Sequence, residues 1–170
     1  MKTLVLVRHA KSSRQDLSLA DFDRPLNERG KRDAPRMAKY LQASGLAPHC
    51  ILSSPARRAV KTARIFARYL LADASSVKLE NQIYEASADQ LLNIAQEMDD
   101  AVDTCMLVGH NPGLTDFANR LMNTRQSIEN VPTTGVVLLG FDIQSWKALA
   151  EKSGSLINFF TPAGLQEKAD

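Results

Sequence analysis

Apolar positions in this chain follow two periods. Short unbroken runs, of which Leu4-Val5-Leu6-Val7 and Cys105-Met106-Leu107-Val108 are the clearest, have the length and β-branched content of strands buried on both faces, as in a parallel sheet. Five strands are predicted on this basis, over 2–8, 49–54, 104–109, 134–142 and 155–160. Helical spacing fills the gaps between the first four. Residues 29–44 carry Met37, Ala38 and Leu41 on one face and stop at Gly45. Ser54-Pro55 reads as an N-cap with proline at the first helical position, opening a helix to about Leu71. Ser87-Ala88-Asp89-Gln90 has the form of a capping box, followed by Leu91, Ile94, Ala95 and Met98. Pro112-Gly113 opens a last helix to about Met122. Trp146 and its neighbours fit a short helix or an extension equally well.

Strands alternating with helices imply an α/β fold, a doubly wound, mostly parallel sheet with helices on both faces. The last two strands lie close enough in sequence to form an antiparallel edge. No linker or repeat interrupts residues 1–170, which read as a single domain.

Composition narrows the class without changing the fold. At 44% apolar and 24% charged the chain is of the globular type. No apolar run is long enough to span a membrane. One lysine and four apolar residues before Arg8 are too few for a signal peptide. Cys50 and Cys105 fall in predicted buried strands without metal-ligand spacing, so free core thiols and a reducing, cytoplasmic setting are expected. The net charge of +2 hides an asymmetry: residues 1–70 carry +10 and residues 71–170 carry −8. The basic residues gather around Arg8–Arg36 and Arg57–Arg68 with almost no aromatic side chains among them. A focused anion site fits that pattern better than nucleic acid.

Ligands of open α/β sheets bind beyond the carboxyl ends of the strands. Three predicted strand ends deliver polar residues there. The first ends in Arg8-His9. The second passes through Ser53-Ser54-Pro55-Ala56-Arg57-Arg58, placing an arginine in the first turn of a helix, where free N–H groups and the helix dipole favour phosphate. The third runs Gly109-His110-Asn111-Pro112-Gly113. Two of the chain's three histidines therefore stand at matching strand ends, each near an arginine. His49 has no such setting and reads as structural. Arginines supply fixed positive charge for phosphoryl transfer, and a neutral imidazole can act as a covalent nucleophile. Metal-ligand spacing, a Walker A loop and a GxGxxG turn are all missing, so no metal and no cofactor is expected.

These residues resemble a known family. Leu6-Val7-Arg8-His9-Ala10 is similar to the Arg-His-Gly signature of the histidine phosphatase, or phosphoglycerate mutase-like, superfamily. Ser53-Ser54-Pro55-Ala56-Arg57-Arg58-Ala59 with Thr62 resembles its second motif, and Gly109-His110-Asn111-Pro112 its third. Arg24-Pro25-Leu26-Asn27-Glu28-Arg29-Gly30, Tyr84-Glu85-Ala86-Ser87 and Thr161-Pro162 with Leu165 resemble the short SixA-type phosphohistidine phosphatases. The resemblance implies that His9 is the nucleophile and that Arg8, Arg58 and His110 bind the phosphoryl oxygens. Arg58 matches the family arginine better than Arg57, which is left as an auxiliary or surface residue. Asn111 joins the substrate-binding set or orients its own loop, and Lys11 and Arg24 join that set. Larger family members use a carboxylate after the second helix as proton donor. Glu85 matches it in position, with Asp21 and Asp23 as further candidates. Ala10 departs from the usual glycine, and a positive φ there would strain it.

The resemblance thus implies a metal-independent, cytoplasmic phosphatase acting on phosphohistidine of a protein, such as a signalling phosphotransfer domain. With little chain for a lid beyond Ser12–Arg24, an open, basic pocket is expected, with Lys11, Arg14, Arg24 and Lys61 steering an acidic partner. A phosphatase of small phosphate esters shares every catalytic residue and is the alternative. A non-catalytic phosphoprotein-binding module is the alternative of another class, and it gives no reason for an in-line nucleophile. No nucleic-acid or membrane partner is expected.

Overall fold

The computed structural model describes residues 1–71 and 73–169. β1 (Lys2–Arg8) is the run Leu4-Val5-Leu6-Val7, all four side chains fully buried. A strand sends alternate residues to opposite faces, so Leu4 and Leu6 enter one apolar layer while Val5 and Val7 enter the other. The remaining elements are α1 (Glu28–Ala43), β2 (Cys50–Ser53), α2 (Arg57–Leu70), β3 (Val77–Leu79), α3 (Ala88–Gln96), β4 (Thr104–Gly109), α4 (Gly113–Leu121), β5 (Val136–Phe141), β6 (Ser155–Phe160) and α5 (Pro162–Ala169). α1 and α2 cover the Val5/Val7 face, and α3 and α4 cover the other.

The strands form one sheet in the order β3-β2-β4-β1-β5-β6. β3, β2, β4 and β1 are parallel, while β5 runs antiparallel to both β1 and β6. This is the doubly wound, mostly parallel α/β sheet the apolar pattern implied, with its antiparallel edge. β1 and β4 are neighbours in register, Arg8 opposite Gly109. From these adjacent ends the chain departs to α1 on one face and α4 on the other. The crevice between the departures is where such sheets bind ligands.

Local chemistry explains most helix ends. α1 starts at Asn27, whose side chain accepts the Gly30 N–H at 2.9 Å. It stops at Gly45, where φ is +88° and the Leu46 and Gly45 amides close onto the carbonyls of Leu41 and Gln42. The capping box at Ser87 and Gln90 is present.

Three features differ from the sequence reading or complete it. Ser54 does not cap α2: its N–H bonds to the Val108 carbonyl at 3.0 Å, so the chain is still extended there and the helix begins only at Arg57. The short strand β3 was not anticipated, because three residues, two of them exposed, are too few to show a period. Trp146 belongs to a single 3-10 turn, fully buried, with its indole N–H on the Val102 carbonyl at 2.7 Å.

Cys50 and Cys105 are free, buried and opposite each other on β2 and β4, their sulfurs 3.5 Å apart. Among the described residues, no helix is long and apolar enough to cross a membrane.

Candidate active site

His9 follows the last residue of β1, and its orientation follows from one bond. Nδ1 lies 2.8 Å from the Ala10 carbonyl oxygen, which can only accept, so the proton sits on Nδ1. Nε2 is left with its lone pair facing Arg58, whose Nε lies 3.4 Å away. The Ala10 backbone is fixed in turn: its N–H donates to Thr62 Oγ1 at 2.9 Å, and that hydroxyl donates to the Arg58 carbonyl at 2.7 Å. One buried threonine thereby ties the end of β1 to the first turn of α2. Positive φ occurs at Glu85, Thr134 and Lys152 among the non-glycine residues, and Ala10 is not one of them. Alanine at this position is unstrained.

His110 follows β4, its ring centroid 5.1 Å from that of His9. Arg58 Nη2 approaches His110 Nδ1 at 3.4 Å and can only donate, so Nδ1 is the acceptor. The proton then sits on Nε2, which donates to Ser54 Oγ at 2.7 Å. Burial is the main force on both rings, opposed on His9 by the bond to the Ala10 carbonyl and reinforced on both by the charges of Arg58 and Arg8. It lowers His9 to about 3 and His110 to about 4. Both imidazoles are neutral at pH 7.

Arg8, Lys11, Arg14, Arg24 and Arg58 line the resulting cavity of about 380 Å³ with the two histidines. Asp21 and Glu85 are the carboxylates facing them. Arg58 is buried and engaged on every edge, with Nη1 on the Asp21 carbonyl at 2.6 Å and Nη2 on Asp21 Oδ2 at 3.0 Å. Arg8 holds the Val131 carbonyl through Nη1 at 3.1 Å, while its buried Nε has no partner among the described residues. Desolvation and the Arg58 charge both lower its pKa. Arg24 bridges Asp21, Ser12 and the Ser13 carbonyl.

The structure thus brings Arg8, His9, Lys11, Arg24, Arg58, Glu85 and His110 around one cavity. Asn111 also lines it, but its amide is committed elsewhere. Nδ2 donates to Val131 O and Asn130 Oδ1, and Oδ1 accepts from the Thr115 amide and hydroxyl. Of the two roles considered for Asn111, loop orientation is the one its bonds serve. Arg57 is exposed outside the cavity, and Asp23 is not among its lining residues. His49 is exposed ahead of β2, at the opposite end of that strand, where it accepts the Thr104 N–H.

Asp21, although exposed, is bonded into the site. It accepts the Tyr84 hydroxyl at 2.7 Å, and hydrogen bonds from Tyr84, Arg58 and Arg24 hold its carboxyl well below the usual range. It is a fixed anion, unsuited to donating a proton. The Tyr84 hydroxyl is pushed up to about 12 by burial and by Asp21. Its ring packs edge-on to His110 at 5.5 Å. Sequence reasoning assigned no role to Tyr84, although it sits in a quoted motif beside Glu85. Glu85 has φ +59°, in the left-handed region. A Cβ on Gly113 would fall 2.0 Å from the Ala86 carbonyl oxygen, so only glycine lets the start of α4 press against the segment that follows Glu85. Among the described residues, no group of three or more His, Cys, Asp or Glu side chains is placed to hold a metal ion.

Known proteins resemble this chain over most of its length. The model of the histidine phosphatase superfamily (branch 1) matches residues 4–139. An uncharacterized chloroplastic protein of Arabidopsis thaliana is 31% identical over 165 residues, 90% of this chain and 72% of that protein. Among solved structures, a protein assigned as the phosphohistidine phosphatase SixA of Agrobacterium tumefaciens superposes with a TM-score of 0.79 at 27% identity, over 95% of this chain and 98% of that one. The protein histidine phosphatase SixA complexed with tungstate gives 0.81 at 18% identity, over 96% and 99%, which speaks for the fold.

Proposed function

The chain belongs to the histidine phosphatase superfamily (branch 1), and from that premise we propose that it is a metal-independent phosphatase removing phosphate from phosphohistidine on a protein. The observation that carries the proposal is the state of His9: a neutral ring whose Nε2 lone pair is presented to a cavity built around Arg8, Arg58 and His110.

In the proposed reaction the arginines hold the phosphoryl oxygens and balance charge as it spreads in the transition state. His9 Nε2 attacks phosphorus of a phosphohistidine protonated on its other ring nitrogen. A new N–P bond forms as the old one breaks, and the electron pair returns to the departing imidazole, which leaves neutral. Water then attacks the phosphoryl group on His9. The Nε2–P bond breaks, the ring becomes neutral again, and phosphate retains the protons of the water. The Ala10 carbonyl stabilises the cationic phospho-ring through Nδ1–H, which is the second use of the 2.8 Å bond. Glu85 is proposed as proton donor where a leaving group needs one. Asp21 is not, because its partners keep it ionised.

A phosphorylated protein is favoured as substrate because an imidazole leaving group places little demand on acid catalysis, and the exposed Glu85 is the one lining carboxylate not held by arginines. A histidine phosphotransfer domain is the proposed partner, in a cytoplasmic setting. The test is phosphate release from such a domain, phosphorylated on histidine, in the presence of chelator. Wild type should release phosphate and His9→Ala should not. Equal release by both proteins removes His9 from the mechanism. Turnover of small phosphate esters alone moves the assignment to the ester phosphatases.

A further inference from the structure

A second cavity, of about 440 Å³, lies beside the first and plays no part in the proposed chemistry. Its floor is apolar, with Leu26 buried and Val60 half-buried. Its rim is cationic: Arg57, Lys61 and Arg64 come from α2 and Lys31 from α1. The three α2 cations are four and then three residues apart, which puts them on one helix face. All four are exposed, and no acidic residue lines the groove. Lys61 and Arg64 make no ion pair among the described residues, and Lys31 meets only the exposed Glu28 at 3.4 Å.

The groove and the candidate active site are two sides of one wall. Arg57 lines the groove while Arg58 lines the site, and Pro25 lines the groove while Arg24 lines the site. Arg57 donates to the Asp23 carbonyl at 3.4 Å, in the same turn whose Asp21 holds Arg58. A segment seated in the groove would therefore lie across the wall that carries Arg24 and Arg58 into the site.

Four like charges around an apolar floor repel one another and leave apolar surface in water. An anionic partner with an apolar ridge reverses both costs. The lining has no aromatic side chain on which a base could stack, which argues against single-stranded nucleic acid. Building on the phosphohistidine-protein reading above, we propose that this groove docks an acidic amphipathic segment of the substrate protein beside its phosphorylated histidine. Recognition of the partner is thereby separated from recognition of the phosphoryl group.

The test compares two charge reversals that change net charge equally. Lys61→Glu/Arg64→Glu alters the groove. Lys39→Glu/Arg68→Glu alters exposed residues of the same two helices outside it. Each is assayed on a histidine-phosphorylated phosphotransfer domain with an acidic surface flanking its histidine, and on phosphoimidazole. The groove variant should raise KM for the phosphoprotein about tenfold with kcat unchanged, an effect that shrinks in high salt. Its rate on phosphoimidazole and the behaviour of the control variant should match wild type. A groove variant that turns over phosphoprotein like wild type overturns the docking surface and leaves the phosphatase assignment standing. Equal losses in both variants overturn it too, because only the overall field is then at work. A wild type that hydrolyses phosphoimidazole but not the phosphoprotein overturns both the assignment and the groove.

Discussion

Arg58 is held in place by Asp21, thirty-seven positions earlier in the chain. Asp21 meets it with its side chain at 3.0 Å and its carbonyl at 2.6 Å. The other edges of the same guanidinium face His9 and His110, each at 3.4 Å. The aim of this arginine is therefore set by the 12–24 loop as much as by α2, which carries it. Half-exposed Asp21 also places a constant negative charge beside the buried Arg58 cation. That charge opposes retention of phosphate after the reaction.

Asp21→Asn keeps the shape and removes the charge. Inorganic phosphate and tungstate should then inhibit about fivefold more tightly at low ionic strength, with the difference shrinking in high salt because the carboxylate is partly solvated. Inhibition constants measured at two salt concentrations check this. Unchanged constants would show that Asp21 has no electrostatic hold on the site.

The two site histidines should stay neutral well below physiological pH. With His9 lowered to about 3 and His110 to about 4, neither ring should titrate between pH 8 and pH 5 in NMR spectra of the free protein. The linkage has a definite sign. An unfolded histidine takes up its proton near pH 6.5 while these folded rings refuse it. Their contribution to stability is complete above pH 6.5 and is lost as pH falls toward 4 and then 3. Chemical denaturation at pH 7.5 and pH 5 should show the decline.

Thr62→Val is nearly isosteric and removes both bonds of the hydroxyl, leaving the buried Ala10 N–H without its acceptor. A cost of about 1–3 kcal/mol is expected from that unpaired donor. Because Ala10 also holds His9 Nδ1, kcat should fall about tenfold more than in Thr62→Ser, which keeps the hydroxyl. Equal kcat values for the two variants would detach Thr62 from the positioning of His9.

Gly113→Ala should be more harmful than an alanine in a first helical turn normally is. Its methyl would fall 2.0 Å from the Ala86 carbonyl, a backbone atom that cannot swing aside. A loss of about 1–3 kcal/mol is expected from the forced shift. The displaced 84–87 segment should also lower turnover, since Tyr84 and Glu85 move with it. Thermal unfolding and kcat measured on the same sample separate the two effects.

The fold was legible because burial on both faces writes itself into composition. Leu4-Val5-Leu6-Val7 and Cys105-Met106-Leu107-Val108 could only be interior strands, and the caps at Gly45 and Ser87 are short-range chemistry between neighbours in the chain. The mostly exposed strand β3 left no such trace. Ser54 misled for a related reason: a serine before proline has the chemistry of a helix cap, and only its pairing with Val108 across the sheet kept it extended.

The same division runs through the site. Arg8, His9 and His110 could be nominated one by one from strand-end position and residue type, and Arg58 rather than Arg57 from the family resemblance. By itself the sequence determined five of the six strands, the carboxyl edge of the sheet and the residues delivered there. Only the tertiary structure decided which histidine nitrogen faces the cavity, that Asp21 and Tyr84 join the site, that Asn111 serves its own loop, and that the α2 cations border an apolar groove. Those outcomes rest on contacts between segments tens of residues apart. Hydrogen-bond direction, burial and the pairing of charges exist only once such segments have met.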